Sequence, residues 1–418
     1  MLKVLKFGGS SVGCADSIKR TADIVFRNHI NKIPQIVVVS AMYGVTNKLE
    51  KYYFQDKNPL LINEIKMLHN QTYNELFCDH INIDNLSSQY NVQMANFIDK
   101  YSDKYIKNNS YSGFVTIGEA LSVNLLSRYM SSIIPTHPVY TNDLIIMNGD
   151  TVDFDISNRL IKKKIINVHD EGYIPIVTGF MAGDNNGNIK TLNRGGSDYT
   201  ASIIASAMKA SCVELWKLEC TKKDNGFMDK IKPLTEQRKW LGIVSANPTH
   251  VKNAEIVDTI GYVEANILSK FGKKVIHPKA VEPLLISNIP LYVKNTAIPE
   301  DEGTVITKKS NNNPKVIVDQ QLKQFIDENG TNIIDPDVKT LMENHSDIIA
   351  VIGPNLNNND NFKNCLNSYC KLKGFEYTFP KKLFGDDNFV SIFAHKKDKD
   401  QIIKFTHSII SEEWLEDS

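Results

Sequence analysis

The sequence has no excess of either charge. Its 418 residues include 48 basic and 48 acidic side chains, so the formal net charge is zero. A neutral chain has no overall field that would draw it to nucleic acid or to an anionic membrane. It also lacks the uninterrupted run of ~18 apolar residues that a membrane-spanning helix needs. We therefore expect neither nucleic acid nor a membrane as a partner.

Cysteine is sparse, and no two cysteines form a C-x-x-C pair. The chain has six, scattered along its length. Disulfide frameworks are dense and typical of small secreted domains, and zinc sites show close paired spacings. Lys3 and Lys6 interrupt the apolar N-terminus, which argues against a secretory signal. We expect six reduced thiols and a cytoplasmic protein.

The first 300 residues alternate between two patterns. Hydrophobic residues make up 42% of the chain, enough for a sizeable core. Short β-branched runs occur at 35–40, 174–178 and 289–293, and longer amphipathic stretches at 15–26 and 197–208. This alternation predicts an α/β fold, an αβα sandwich around a mainly parallel sheet. Residues from about 50 to 135 have a mostly helical pattern and are expected to form a subdomain or lid.

A polar stretch, 308–314, precedes a different pattern. Beyond it the sequence predicts strand 347–352, helix 362–372, strand 375–379, strand 388–395 and helix 399–410. This β-α-β-β-α order is typical of a small ferredoxin-like α+β module. We therefore predict two domains, 1–306 and 307–418.

The first chemically informative motif is Lys6-Phe-Gly-Gly-Ser-Ser-Val12, between an apolar strand and a helix. Gly8 and Gly9 let backbone N–H groups approach a phosphate, and the helix adds its positive end. Lys6 can neutralise charge on a transferred phosphoryl group. The spacing matches neither the P-loop nor G-x-G-x-x-G, which disfavours Walker-type and Rossmann sites. The alternative is a solvated lysine beside a glycine turn.

The second motif contains Arg194-Gly-Gly-Ser-Asp198. Arg194 can clamp a substrate carboxylate through two parallel hydrogen bonds. Asp198, where a helix begins, can order a lysine or hold a metal-bound water near phosphates. Helix capping alone would account for Ser197 and Asp198, but it needs neither the arginine nor the glycines.

Four further residues fit a ligand site. A second strand ends in small and hydroxyl residues, which places Ser40 and Thr46 at the carboxyl edge of the sheet, where α/β proteins bind ligands. Glu119 can hold an ammonium group, although a lone Glu in a first turn commonly compensates the helix dipole. Lys274 precedes a further strand.

In their order these motifs resemble those of the amino-acid kinase family, and within it the aspartokinases. The matching segments are Lys-Phe-Gly-Gly-Ser-Ser-Val, Val-Ser-Ala-Met-x-Gly-Val-Thr-Asn, Gly-Glu-x-Leu-Ser, Thr-Gly-Phe, Arg-Gly-Gly-Ser-Asp-Tyr-Thr-Ala and Phe-Gly-x-Lys-Val-x-His-Pro. The resemblance covers about residues 1–306. It implies transfer of the γ-phosphoryl group of ATP to the β-carboxylate of L-aspartate, giving 4-aspartyl phosphate, the first step towards lysine, threonine and methionine.

The resemblance also implies roles for single residues. The catalytic set would be Lys6, Asp198 and Lys274. Phosphates would be bound by Lys6, Gly8, Gly9, Ser10 and Lys274. The amino acid would be held by Ser40, Thr46, Glu119, Phe180, Arg194 and Ser197. ATP and Mg²⁺ would be the cofactors, the ion being bound mainly through the nucleotide phosphates and not by side chains. No general base is needed, because a carboxylate is already a nucleophile at pH 7.

The pattern departs from the family after Trp216. There the family has Thr-Asp-x-x-Gly and then Asp-Pro-Arg, which line the nucleoside pocket. This chain continues with Lys217 and resumes the pattern only at Gly242, with Asn247 and Thr249 in place of the Asp and Arg. The intervening residues 217–241 include seven basic and four acidic side chains, a net charge of +3. The nucleotide side of the site is therefore expected to differ.

Three interpretations remain open. The chain is an active aspartokinase whose inserted lysines, Lys222, Lys223, Lys230 and Lys232, supply substitute phosphate contacts. Alternatively, it is a related kinase that acts on another carboxylate in specialised metabolism. The third possibility is an amino-acid-binding pseudokinase or regulatory subunit. Retention of Lys6, Arg194, Asp198 and Lys274 favours a kinase, since a mere binder has little use for two phosphate-neutralising lysines.

The C-terminal region is short for the family. Aspartokinases usually end with two ACT units, and each unit has a ferredoxin-like fold. One such unit needs about 70 residues and two about 140, whereas 307–418 provides 112. We expect a shortened ACT-like module and a homodimer formed through it.

Overall fold

The structure is a computed structural model. It describes the chain except for residues 78–82, 194, 238–241, 248–249, 252, 271–275, 277, 309–315, 322–346, 354–359, 376, 380–388 and 417–418.

The described strands, in chain order, are β1 (Lys3–Phe7), β2 (Gln35–Val39), β3 (Thr136–Val139), β4 (Ile146–Asn148), β5 (Thr151–Val152), β6 (Ile174–Thr178), β7 (Met181–Asp184), β8 (Ile189–Thr191), β9 (Cys212–Lys217), β10 (Cys220–Lys222), β11 (Met228–Ile231), β12 (Thr259–Gly261), β13 (Leu291–Asn295), β14 (Thr304–Thr307), β15 (Val316–Gln321), β16 (Asp347–Ile352), β17 (Tyr377–Thr378) and β18 (Phe389–Ala394).

The described α-helices are α1 (Ala15–Ile30), α2 (Val45–Lys51), α3 (Pro59–Phe77), α4 (Ile83–Lys107), α5 (Tyr111–Val115), α6 (Ile117–Ser131), α7 (Phe154–Asp170), α8 (Gly196–Met208), α9 (Leu234–Gln237), α10 (Tyr262–Lys270), α11 (Pro278–Ser287), α12 (Asp360–Lys373) and α13 (Lys399–Glu416).

These elements fall into two compact units. The first comprises Met1–Arg238 and Glu282–Glu302, and the second Lys239–Val281 and Gly303–Ser418. The predicted domains, 1–306 and 307–418, divide the chain at a different place and stay a prediction.

Six parallel strands form the centre of the first unit, in the order β13-β9-β1-β2-β6-β3. β2 and β6 are buried along their whole length, as expected of β-branched strands covered on both faces. Leu5 and Phe7 of β1 pack in the same core as α1 and α6. Lys6 alternates to the opposite face, where α8 packs on β1, β2 and β9. The predicted sandwich with a mainly parallel sheet is confirmed.

The described residues from about 50 to 135 are mostly helical, chiefly in α3 to α6, and their assignment as a subdomain or lid stays a prediction. Ile62, Ile65 and Tyr73 of α3 are buried in one core with Ile98 of α4 and Leu125 of α6. Since this core also contains Leu5 and Phe7 of β1, the helical region is packed directly on the sheet of the first unit.

The second unit contains a four-stranded antiparallel sheet in the order β15-β16-β18-β17. Helices α12 and α13 supply Phe362, Leu366 and Ile402 to its core. The predicted β-α-β-β-α order and its ACT-like, ferredoxin-like character are confirmed. The predicted strand 375–379 is described only at Tyr377–Thr378. The same unit contains β12 and β14 as a parallel pair.

One strand of this sheet was not predicted. β15, Val316–Gln321, follows the polar stretch 308–314 and pairs with the whole of β16, from Val316 opposite Ile352 to Gln321 opposite Asp347. Its second half, Asp-Gln-Gln, has no apolar alternation. The strand is therefore defined by its pairing with the buried β16 more than by its own composition.

Two predictions concerned properties of the whole chain. The five cysteines in the described part of the chain are free thiols. No helix among the described residues is both long and apolar enough to cross a membrane.

Candidate active site

The ends of β1 and α8 meet at an ion pair. The Lys6 Nζ atom lies 2.6 Å from Oδ1 of Asp198, and the two side chains are only 13% and 16% exposed. Pairing along β1 directs Lys6 towards α8, and Asp198 stands in the first turn of that helix. An ion pair this close holds the lysine ammonium at the carboxyl end of the sheet.

The glycine loop after β1 passes close to the segment that follows β2. A Cβ atom on Gly9 would lie 2.9 Å from the carbonyl oxygen of Ala41, so a side chain has no room there. Gly8 donates its N–H to the Trp216 carbonyl at 3.3 Å. That N–H is thus already used, and a Cβ atom at Gly8 would lie at an ordinary contact distance, 3.8 Å, from the Lys6 Nζ atom. Ser10 lies in the 3-10 turn Gly9–Val12.

Two buried hydroxyl groups fasten this loop to β9 and β13. Ser11 donates to the Trp216 carbonyl at 3.2 Å and lies 2.9 Å from the Thr296 hydroxyl. Thr296 donates in turn to the Lys217 carbonyl at 3.0 Å. Neither Ser11 nor Thr296 was named as a site residue from the sequence. In the sequence, Ser11 is a hydroxyl residue that follows a glycine pair, and Thr296 belongs to an Asn-Thr pair at the end of a strand. These patterns point to the site only once the strand order is known.

A buried carboxyl group lies on the other side of Ala41. Glu119, in the first turn of α6, is 3% exposed. Burial raises its pKa to about 8, although hydrogen bonds from its own N–H and that of Ala41 oppose the rise. Its Oε2 atom has no hydrogen-bond partner in the described part of the chain. An unsatisfied buried carboxyl is suited to accept a cationic ligand group.

The two hydroxyl residues predicted beside Glu119 lie on the same segment. The N–H of Ser40 donates to the Phe7 carbonyl at 3.2 Å, which places it directly after β2 and next to the end of β1. Thr46 is half-buried in the first turn of α2. Ser40 therefore lies on the same sheet edge as the glycine loop.

The Thr-Gly-Phe segment connects the same edge to α8. The Gly179 N–H donates to the Val39 carbonyl at 2.8 Å, next to Ser40. Phe180 has φ +64°, a left-handed conformation that is rare for a bulky residue and that clusters at functional sites. Its N–H donates to the Thr200 hydroxyl at 3.1 Å, and Ser197, one turn earlier, is buried.

The structure therefore brings together most of the predicted set: Lys6, Gly8, Gly9, Ser10, Ser40, Glu119, Phe180, Ser197 and Asp198 on the connected segments above, with Thr46 on the adjoining helix. Arg194 and Lys274 lie outside the described residues. Their roles stay predictions, as do those of the described residues.

Lys217 was not named as a site residue from sequence. It is the last residue of β9 and is half-buried. Burial lowers its pKa to about 8, with Asp198 raising it and Lys6 lowering it. The site thus contains two lysines within the electrostatic reach of one carboxylate.

The inserted segment after Trp216 has a defined fold. β10 and β11 form an antiparallel hairpin, and the Lys48 ammonium lies 4.6 Å from the ring centroid of buried Phe227. Gln237, fully buried, bonds the Glu219 backbone with both ends of its amide. The hairpin is therefore packed against other segments of the first unit and is not a loose basic loop.

Its lysines differ in their surroundings. Lys222 lies 5.8 Å from the Tyr43 ring centroid, and Lys232 lies within 4 Å of carboxylates of Glu219 and Glu236. Lys223 and Lys230 are exposed. The suggested phosphate contacts by these lysines stay a prediction.

Two cavities of about 510 Å³ lie elsewhere in the first unit. Tyr140 and Phe97 line both, and no predicted site residue lines either. Among the described residues, no group of three or more His, Cys, Asp or Glu is arranged to hold a metal ion. The described part of the candidate site is therefore characterised by its motifs and hydrogen bonds.

The amino acid kinase family model matches residues 1–219 and 241–295. The unmatched segment between them coincides with the inserted hairpin and α9.

Two curated relatives are similar in sequence. Aspartokinase 1 of Arabidopsis thaliana, a chloroplastic protein, is 30% identical over 343 residues, covering 77% of this chain and 55% of the relative. An aspartokinase of Rickettsia felis is 27% identical over 409 residues, covering 97% of this chain and 82% of the relative. This chain spans about half or less of the length of several curated relatives that it matches, from 33% to 55%.

The fold is similar to that of a solved enzyme. E. coli aspartokinase III, in complex with aspartate and ADP, aligns with a TM-score of 0.73 at 20% identity, covering 98% of this chain and 99% of that one. The resemblance to aspartokinases noted from the motifs is confirmed by these matches.

Proposed function

Because the chain belongs to the amino acid kinase family, we propose that it is an aspartate kinase, which transfers the γ-phosphoryl group of ATP to the β-carboxylate of L-aspartate. The observation that supports this most directly is the Lys6–Asp198 pair, 2.6 Å apart, beside the glycine loop. The aspartokinase relatives and the aspartate and ADP bound to the E. coli protein favour this substrate pair over other members of the family.

The amino acid would occupy the edge formed by the ends of β2, β6 and α8. Glu119 presents a buried carboxyl whose Oε2 has no partner among the described residues, and the ammonium group of aspartate would ionise it and pair with it. Ser40, Thr46 and Ser197 would offer hydroxyl groups to the carboxylates. Arg194 would clamp one of them, by the family resemblance.

The phosphoryl group would move between two oxygens without a proton transfer. A β-carboxylate oxygen of aspartate attacks the γ-phosphorus, the bond from that phosphorus to the bridging oxygen breaks, and ADP leaves. Lys6, oriented by Asp198, neutralises the charge that builds on the phosphoryl oxygens. The Gly9–Val12 turn follows β1 at the same end of the sheet, and Lys274 would contact the nucleotide phosphates.

Mg²⁺ fits this site as an ion held through the nucleotide. It prefers oxygen ligands and commonly binds substrate phosphates while keeping several waters. The Asp198 carboxylate is engaged by Lys6, so the phosphates of ATP would be its principal ligands. When bound, the ion would neutralise phosphate charge.

We also propose that the protein forms a homodimer through the ACT-like module and that it is located in the cytoplasm.

A comparative kinase assay tests the function. The purified protein is incubated with Mg-ATP and L-aspartate, L-glutamate or N-acetyl-L-glutamate, and ADP release is followed. Release that depends on L-aspartate supports the proposal. Release with another carboxylate alone would indicate a related kinase, and aspartate binding by calorimetry without ADP binding would indicate a pseudokinase. Either result would contradict the proposal.

A further inference from the structure

The strand register places Lys217 on the same side of the sheet as Lys6. Phe7 pairs with Trp216 across the parallel strands β1 and β9, and their rings stack with centroids 6.0 Å apart. Side chains alternate along a strand, so Lys6 and Lys217 lie on the opposite face from this ring pair. That face is covered by α8, which contributes Asp198.

The backbone of Lys217 is held in place at the end of β9. Its carbonyl accepts hydrogen bonds from the Thr296 N–H at 2.8 Å and the Thr296 hydroxyl at 3.0 Å. Thr296 also contacts the Ser11 hydroxyl of the glycine loop. The lysine is thus anchored to the loop that is expected to surround the phosphates, and its side chain starts from a fixed position.

The charged groups around Lys217 come from three elements. Lys6 of β1 repels its ammonium, Asp198 of α8 attracts it, and Glu219, two residues further on, attracts it weakly. Lys294 of β13 lies over the Trp216 ring at 5.2 Å, on the other face of the sheet. Lys6 and Lys217 therefore both lie within the electrostatic reach of Asp198 at this edge of the sheet.

We propose that Lys217 is a further phosphate-binding lysine of the nucleotide site, in addition to Lys6 and Lys274, and that it works beside Lys6 at the carboxyl end of β1 and β9. This inference rests on one part of the proposed function, namely that the site binds a nucleotide. The position of Lys217 beside Lys6 and its anchor to the glycine loop through Thr296 place its side chain at the end of the sheet where the phosphates are expected. The ligand class is a nucleoside di- or triphosphate, and the contact is an ammonium-to-phosphate-oxygen hydrogen bond.

The pKa of Lys217 gives the proposal a pH signature. The pKa is lowered to about 8, chiefly by burial, so the free protein loses this ammonium above pH 8. Phosphate binding favours the charged form. The apparent affinity for ADP should therefore fall above pH 8, and binding at pH 8–9 should be accompanied by proton uptake.

The test is ADP binding, measured by calorimetry from pH 7 to 9.5 in the presence of Mg²⁺, for wild type and three variants. Lys217→Met should weaken ADP binding roughly 10- to 100-fold at pH 7. Lys217→Arg should retain affinity within about threefold and remove most of the loss above pH 8, because arginine stays charged. Lys3→Met is the matched control and should bind like wild type, because Lys3 lies on the opposite face of β1 from Lys6 and pairs with Glu214. Thermal unfolding checks that each variant is folded.

A kinetic arm separates this inference from the proposed function. With an active enzyme, Lys217→Met should raise KM for ATP and leave KM for aspartate within about twofold. If the wild type binds ADP and shows the Lys217 dependence but does not phosphorylate aspartate, the proposed function fails and the inference holds. Wild-type-like ADP affinity in Lys217→Met, or no ADP binding by the wild type, would overturn the inference.

Discussion

The ammonium of Lys6 and the carboxylate of Asp198 lie 2.6 Å apart, although they belong to the first strand and to α8, far apart in the sequence. The pair lies at the carboxyl end of the central sheet, where α/β proteins bind ligands. Lys6 is therefore oriented before any ligand arrives, and a fixed charge costs little reorganisation when phosphoryl transfer begins.

The first prediction concerns this pair. Lys6→Met and Asp198→Asn should each lower kcat by roughly 10²- to 10³-fold. Lys6→Met removes the charge that neutralises the phosphoryl oxygens, and Asp198→Asn removes the carboxylate that holds the Lys6 ammonium in position. Both should remain folded in thermal unfolding experiments. Lys3→Met is the matched control. Lys3 lies on the same strand and pairs with Glu214 at 2.8 Å, away from the site, so its kcat should stay within about twofold of wild type.

The second prediction concerns recognition of the substrate ammonium by Glu119. Its pKa of about 8 keeps it mostly protonated at neutral pH in the free protein, whereas an ammonium ligand favours the carboxylate. KM for aspartate should therefore fall as pH rises from 6.5 to 8, by up to about tenfold per pH unit. Glu119→Gln should have a higher KM that is nearly independent of pH. A wild-type KM that is flat over this range would contradict the assignment.

The third prediction concerns the stability of the free protein. Because the folded-state pKa of Glu119 is raised above 4.5, the unfolded chain releases this proton at lower pH than the folded chain, and Glu119 lowers stability progressively from pH 4.5 to 8. Glu119→Gln should be more stable than wild type by about 1–3 kcal/mol at pH 8 and nearly equal at pH 4.5. Urea unfolding at the two pH values measures this. A difference independent of pH would contradict it.

The fourth prediction tests how the inserted hairpin packs on the segment after β2. Gly44 and Gly226 have nearly equal φ angles, +86° and +85°. A Cβ atom at Gly44 would lie 2.6 Å from the Gly226 carbonyl oxygen, whereas one at Gly226 would meet nothing within 4 Å. Gly226→Ala should cost about 1 kcal/mol for its backbone conformation alone. Gly44→Ala should lower the free energy of unfolding by about 2 kcal/mol more than Gly226→Ala, because its Cβ atom would overpack the hairpin backbone. Equal losses of stability in urea unfolding would contradict the packing.

The sequence predicted the parts of the site whose chemistry is local. Glycine pairs, a lysine at a strand end and Ser-Asp at a helix start have physical reasons that short motifs reveal, and the structure assembles them on one sheet edge. Glu119 was predicted as an ammonium ligand, but its raised pKa depends on burial by other segments. Lys217 was missed because its closeness to Asp198 follows from strand order and register, which no local pattern contains.

The same distinction holds for the fold. Strands β2 and β6, which are continuous β-branched runs, were predicted within a residue of their ends. β15 was missed, because its polar half becomes a strand only through pairing with β16. The hairpin in the insertion likewise depends on the burial of Phe227 and Met228 against residues far away in sequence. Long-range packing, and not local propensity, decides these elements.

The most direct test of the central claim is trapping of the acyl phosphate. Purified protein is incubated with L-aspartate, Mg-ATP and hydroxylamine, and the product is identified by mass spectrometry and chromatography against authentic aspartate β-hydroxamate. We predict β-hydroxamate formation by the wild type, in proportion to ADP released, and its loss in a folded Lys6→Ala variant. No β-hydroxamate from the wild type, or undiminished formation by Lys6→Ala, would contradict the assignment of an aspartate kinase built around Lys6.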